Sequence, residues 1–206
     1  CAVCHDQVPL FSGRFDQPEY DPDGDPGGHA GITCIGCHGI TAVETPLGNG
    51  AYTISDPSDY PFADSENAFL QAVNRQLIKA KPAFHKQSLL KPVHKTALFC
   101  SSCHKVHLPQ AVNDYRWLRG QNHFDSFMRS GVPGHSVDSF YYPQQAVENC
   151  AQCHMPGRYY MGPDYRPDHS FRVPRPDLSD RLGTPNACNG CHADRTSQWS
   201  ADALQR

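Results

Sequence analysis

The chain has 206 residues, a formal charge of −3 and a pI near 6.5. That balance offers no basic field for nucleic acid, and no apolar run approaches membrane-spanning length. Hydrophobic residues make up 38 per cent and mean hydropathy is −0.59, so the side chains alone supply a thin core.

The chain opens on Cys1-Ala-Val-Cys4-His5. Residues 6–33 read as a loop centred on QPEYDPDGDPGGHAG, in which Asp21, Asp23 and Asp25 alternate as in calcium loops. The twelfth loop position, which should carry a glutamate, is Ile32. Solvated Asx turns are therefore the main reading, with Ca2+ as a weaker cofactor candidate. His29 stands five residues before the second cysteine group, Cys34-Ile-Gly-Cys37-His38.

Residues 40–61, interrupted by Pro46, Pro57 and Pro61, predict extended or irregular backbone. The clearest helix follows at about 65–80, with Ser65 as its cap and an apolar stripe of Phe69, Leu70, Val73, Leu77 and Ile78. Lys81-Pro82 should end it. The stretch HKTALFCSSCHKVH, from His94 to His107, holds the third group, Cys100, Cys103 and His104, and His85 precedes it.

Between 111 and 142 come His123, His135 and an aromatic series that includes Tyr115, Trp117 and Phe124. Cys150-Ala-Gln-Cys153-His154 and Cys188-Asn-Gly-Cys191-His192 complete the set, with His169 between them. Pro143 and Pro185 are expected in the first turns of helices carrying these last two groups. A final helix should run through Trp199 and Leu204.

The pattern is thus C-x-x-C-H five times, at irregular spacing, and it takes all ten cysteines. This is the attachment signature of c-type haem. Two thiols three residues apart form thioethers to one porphyrin, and the adjacent histidine ligates its iron. Zinc sites need paired C-x-x-C units and give no reason for a histidine after each pair. A thioredoxin-like motif would occur once.

Five haem c groups in 206 residues leave about 41 residues each, too few for separate domains. The fold class expected is mainly α with extensive irregular loops and little or no sheet. It would be one compact body over 1–206, organised around its cofactors, with lobes 1–80 and 81–206 as the alternative division. Thioethers and iron ligation then act as the staples that a thin core needs. Opening on a motif cysteine, the chain reads as a segment of a longer protein.

Proximal iron ligands are His5, His38, His104, His154 and His192. Seven histidines remain, enough for five distal ligands. His29, His94, His123, His135 and His169 are the first candidates, and His85 is a sixth. His107 is weakest, since its neighbour His104 is already a ligand. Bis-histidine ligation favours low potential, whereas Met128, Met155 or Met161 as a ligand would raise it.

The phrases HKTALFCSSCHKVHLP, RGQNHFDSF, SFYYP, CAQCHMP and TPNACNGCHADRTSQW resemble the large multihaem cytochromes c, often carrying tetratricopeptide repeats. These are related to the pentahaem nitrite reductase and hydroxylamine oxidoreductase superfamily. The resemblance touches most of residues 29–206. It implies closely packed haems acting as an electron wire, and a periplasmic or extracellular location. Two features depart from the superfamily's enzymes. Pentahaem nitrite reductases carry a lysine in place of one motif histidine, and nothing here resembles the tyrosine cross-link region of hydroxylamine oxidoreductases.

Electron transfer between redox protein donors and acceptors is the expected function, with no catalytic residue. A homo-oligomer, a filament or a larger redox complex is the expected setting, with no nucleic acid and no transmembrane segment. The alternative is a reductase or oxidase of a small nitrogen or sulfur compound at one five-coordinate haem. Tyr115, Arg116, Arg119 and His123 would then supply the pocket.

Overall fold

The computed structural model describes residues 2–57, 59–108, 110–112, 119–134 and 149–205. Of these, 46 per cent are helical and 11 per cent are in strands, so the chain is mainly helical with small sheets. It divides into two units, Cys1–Arg129 and Ser130–Arg206. The boundary therefore falls at 129/130 rather than at 80/81.

In the first unit α1 (Ala2–His5) and α2 (Gln7–Phe11) precede a 3-10 turn at Arg14–Asp16. The beginning of the expected 6–33 loop is thus helical, and the irregular part starts after Asp16. Helix α3 (Cys34–His38) leads into the two-stranded sheet of β1 (Ile40–Ala42) and β2 (Thr53–Ile54). Thr33 caps α3 by accepting the Gly36 N–H at 3.1 Å.

The long helix is α4 (Ala68–Ala80), followed by α5 (Pro82–Leu89). Its cap is Asn67, whose side chain accepts from Phe69 and Leu70, and not Ser65, which accepts the Asn67 N–H one turn earlier. Its apolar stripe is not core: no residue of α4 is buried, and Phe69 is 73 per cent exposed. Pro82, which cannot continue α4, serves as the first-turn proline of α5.

A 3-10 turn at Pro92–Lys95 feeds α6 (Ala97–His104), capped by Thr96 through the Phe99 N–H. Strand β3 (Lys105–His107) pairs antiparallel with β4 (Arg119–Asn122), and α7 (His123–Arg129) follows at once. The buried apolar set of this unit is small: Cys4, Pro9, Ile40, Val43 and Ala97.

The second unit contains α8 (Ala151–His154), the hairpin of β5 (Gly157–Tyr160) and β6 (Asp164–Pro167), α9 (Pro176–Leu182), α10 (Cys188–Cys191) and α11 (Ser197–Leu204). Helix α9 starts on Pro176 and stops at Gly183, whose φ of 63° is the left-handed conformation that glycine adopts without penalty. It packs on α11, burying Pro176, Ser200 and Ala201. Pro185 is not in the first turn of α10, which begins only at Cys188. Pro143 lies outside the described residues, and no described helix is long and apolar enough to cross a membrane.

Candidate functional site

Every C-x-x-C-H group lies on a short helical turn: α1, α3, the end of α6, α8 and α10. One turn brings residues three apart onto the same face, so both thiols of a group can meet one flat partner. Cys1 itself lies outside the described residues. None of the described cysteines is in a disulfide.

The motif histidines are oriented by what their Nδ1 atoms meet. His38 Nδ1 is 3.0 Å from the Leu89 carbonyl oxygen, and His154 Nδ1 is 3.0 Å from that of Arg172. A carbonyl only accepts, so each Nδ1 carries the proton and donates it. Nε2 is left with its lone pair, the arrangement that a metal-binding imidazole needs. His104 Nδ1 meets the side-chain amide of Gln121 at 2.7 Å. His5, His104, His154 and His192 are exposed, and His38 is half-buried.

The second histidines divide by position. Lys105 pairs with Asn122 in the β3–β4 ladder, and their outer neighbours are His104 and His123. The register alone sets these two opposite each other, and their ring centres are 6.0 Å apart. Two imidazoles bound to opposite faces of one metal, each at about 2.0–2.1 Å, have ring centres roughly 6 Å apart.

His94, six residues before Cys100, lies not beside His104 but beside His38 of the second motif. Its ring meets His38 at 5.0 Å and Phe99 at 4.9 Å, both edge-on. Its Nδ1 accepts the Lys91 N–H at 3.1 Å, and its Nε2 lies 3.1 Å from the Ile40 oxygen. Burial, then the neighbouring His38, pushes His94 below the ordinary histidine value.

His169 donates from Nδ1 to the Pro167 oxygen at 3.0 Å and stands edge-on to Phe171, so its Nε2 holds the lone pair. Exposed His29 turns Nε2 to the Asp23 oxygen at 3.2 Å. His85 is exposed on α5, and half-buried His107 sits in β3. His135, Tyr115 and Arg116 lie outside the described residues, as does the Arg119 side chain.

The acidic triplet is engaged locally. Asp21 Oδ1 accepts the Asp23 N–H, Asp25 Oδ1 accepts the Gly27 N–H, and Asp25 Oδ2 pairs with Arg14 at 2.9 Å. These are Asx turns. Among the described residues no group of three or more His, Cys, Asp and Glu gathers as a metal cluster; the imidazoles meet in pairs.

The motifs are drawn together by residues that carry no ligand signature. In the first unit buried Gln7 donates to the Val3 oxygen in the first motif, the Gly36 oxygen in the second, and the Tyr52 hydroxyl. Tyr52 in turn donates to Val3. Cys4 is buried, and burial with Cys103 beside it pushes its thiol up to about 12. Cys37 is raised by burial and, secondarily, by Cys103.

In the second unit Cys153 is raised by burial, then by Cys188 and Cys191, so the fourth and fifth motifs are also neighbours. Arg172 both receives the His154 Nδ1–H and donates its own N–H to the His154 oxygen at 3.0 Å. Asp168 steadies this segment. It accepts from Ser170, the main cause of its lowered pKa, and faces Arg158 at 3.3 Å and Arg172 at 3.7 Å.

The protein surface around the motifs suits a large apolar group. Ile32 and Ile35 at the second motif, Val106 and Leu108 after the third, and Phe171 and Val173 near the fourth are all exposed. Thiols in pairs, the His38 and His154 rings with Nε2 lone pairs, and open apolar walls together fit covalent haem. No family model, no curated protein and no solved structure matches the chain.

Proposed function

We propose that the chain is a multihaem c-type cytochrome that carries electrons between redox protein partners, in a periplasmic or extracellular setting. Its five C-x-x-C-H motifs would hold five haem c groups through the ten cysteines, with His5, His38, His104, His154 and His192 as proximal ligands. Porphyrin supplies four nitrogens to the iron, so two imidazoles per site complete the sphere and leave no position for substrate.

One observation carries the reading furthest. His104 and His123 face each other across 6.0 Å, the spacing of a metal held between two imidazoles. We assign His123 as the distal ligand of the third site on that basis. His94 is the imidazole nearest His38 at the second site. Its rings are too close for an iron between them, so ligation there requires Nε2 to turn away from the Ile40 oxygen. His169, whose Nδ1 donates to the Pro167 oxygen, is the described candidate of the second unit.

The chain's own residues have distinct tasks in this reading. The Leu89 and Arg172 carbonyls hold His38 and His154 in the ligating tautomer and raise their basicity, which favours the ferric state. At His104 the contact runs the other way: the Gln121 side-chain N–H donates to Nδ1, so ligation through Nε2 requires that amide to turn over. The apolar walls exclude water from the ring faces.

The test is mass spectrometry for covalent haem, followed by EPR of the oxidised protein with and without cyanide. Five haems and only low-spin signals unchanged by cyanide are expected. His123→Ala should then convert one fifth of the signal to a high-spin, cyanide-binding form. A high-spin, cyanide-sensitive site in the unaltered protein would overturn the carrier reading in favour of an enzyme.

A further inference from the structure

Sequence order suggests that electrons visit the motifs in turn, but the first unit brings its first and third motifs together directly. Residues 48–52 form the bridge. Gly50 donates its N–H to the Ser102 oxygen at 2.7 Å, inside the third motif, while Tyr52 donates to Val3, inside the first. Asn49 donates its backbone N–H to Lys105 at 2.9 Å, and its side chain exchanges two hydrogen bonds with the His107 backbone, each 2.8 Å.

Two glycines make the approach possible. A Cβ on Gly50 would lie 2.3 Å from Val3 Cγ2, and one on Gly48 would overlap the Lys105 carbonyl. Both have positive φ, 74° and 78°, so neither space nor backbone conformation admits a side chain. Cys4 of the first motif, buried beneath this bridge, and Cys103 of the third are close neighbours. The second motif touches both, through Gln7 to the first and through the His38–His94–Phe99 ring series to α6.

We propose that the first and third motifs form a directly coupled redox pair with Cys4 and Cys103 at the contact. Electrons then pass between them without crossing the second motif. This rests on the haem reading above. The transfer makes and breaks no bond: one site is oxidised by one electron as the other is reduced. The three motifs of the first unit are thus a closed cluster, not a line, and a partner reaching any one of them reaches all three.

A stepwise redox titration of the intact holoprotein, followed by NMR of assigned haem methyl resonances, resolves pairwise interactions between sites. The interaction between the first and third sites should rank among the strongest, alongside that of the fourth and fifth. Gly50→Val should weaken the first interaction and leave the fourth–fifth one unchanged. If that variant fails to accumulate, the unaltered protein decides alone. A first-site midpoint that ignores the oxidation state of the third overturns the inference. Fewer than five haems by mass would instead remove the reading beneath it.

Discussion

The two units solve the same packing problem by different means. In the first, long-range polar contacts lace three motifs together: Gln7 spans two of them, and Asn49 and Gly50 reach from the middle of the unit to the third. In the second, each motif has its own local harness. Arg172 holds the fourth from 18 residues away, while Asn189, inside the fifth, donates to the His192 and Arg195 oxygens and accepts an N–H from Asn186. A shared harness ties sites together through the chain, whereas separate harnesses leave only the proximity of the sites to couple them. Small proteins with thin cores show this contrast sharply, because few apolar contacts mask it.

The largest contrast between the units should come from removing a motif cysteine. Cys103→Ala removes a sulfur at the meeting point of three motifs, so we expect loss of one haem by mass and loss of a folded first unit by limited proteolysis. Cys188→Ala should also cost one haem but leave the first unit resistant. Equal protease sensitivity of both variants would show that the first unit is not laced as described.

Side chains in the two harnesses give a smaller version of the same contrast. Gln7→Ala removes a buried amide whose two N–H groups are shared among three acceptors, a loss of about 2–3 kcal/mol that should disturb two haem signals. Asn189→Ala, nearer the surface, should cost roughly 1 kcal/mol and disturb only the fifth. Denaturant unfolding and haem NMR read both quantities. A single perturbed signal in Gln7→Ala would contradict its bridging role.

The smallest effect is electrostatic. Asp125 accepts from Lys105 at 2.8 Å and from Asn122, with Lys105 the larger cause, which holds its carboxyl below the ordinary 3.8. A depressed carboxylate stabilises the fold above its unfolded value, and that contribution disappears as pH falls through the folded one. With both partners partly exposed, the pair contributes about 0.5–1 kcal/mol. Asp125→Asn should flatten the acid limb of the first unit's stability below pH 3.8 and leave the second unit's unchanged.

The motifs and their helical turns were legible in sequence, because C-x-x-C-H is local chemistry written in adjacent residues. The candidate partners were legible only as an inventory. His94 is six residues from Cys100, yet it stands against His38, since the chain folds back through β1 between them. His123 is assigned by a ladder register that strands of three and four residues with weak propensity do not announce. Gln7, Asn49, Tyr52 and Gln121 carried no signal at all, being ordinary polar residues whose importance lies in long-range partners. The misplaced cap of α4 has a simpler cause: Ser65 and Asn67 are both good caps, and the asparagine lies nearer the first helical residue. Its exposed stripe shows that periodicity gives a face without saying what covers it.

The bridge at residues 48–52 also sets a schedule for biosynthesis. Val3 finds one partner when Tyr52 emerges, but the bridge itself is anchored only once Ser102, Lys105 and His107 have been made. Synthesis in sequence order therefore keeps residues 2–5 loosely held until residues 102–107 have followed. In the haem reading, that delay would leave the Cys4 thiol accessible for attachment, and closing the bridge afterwards would bury it.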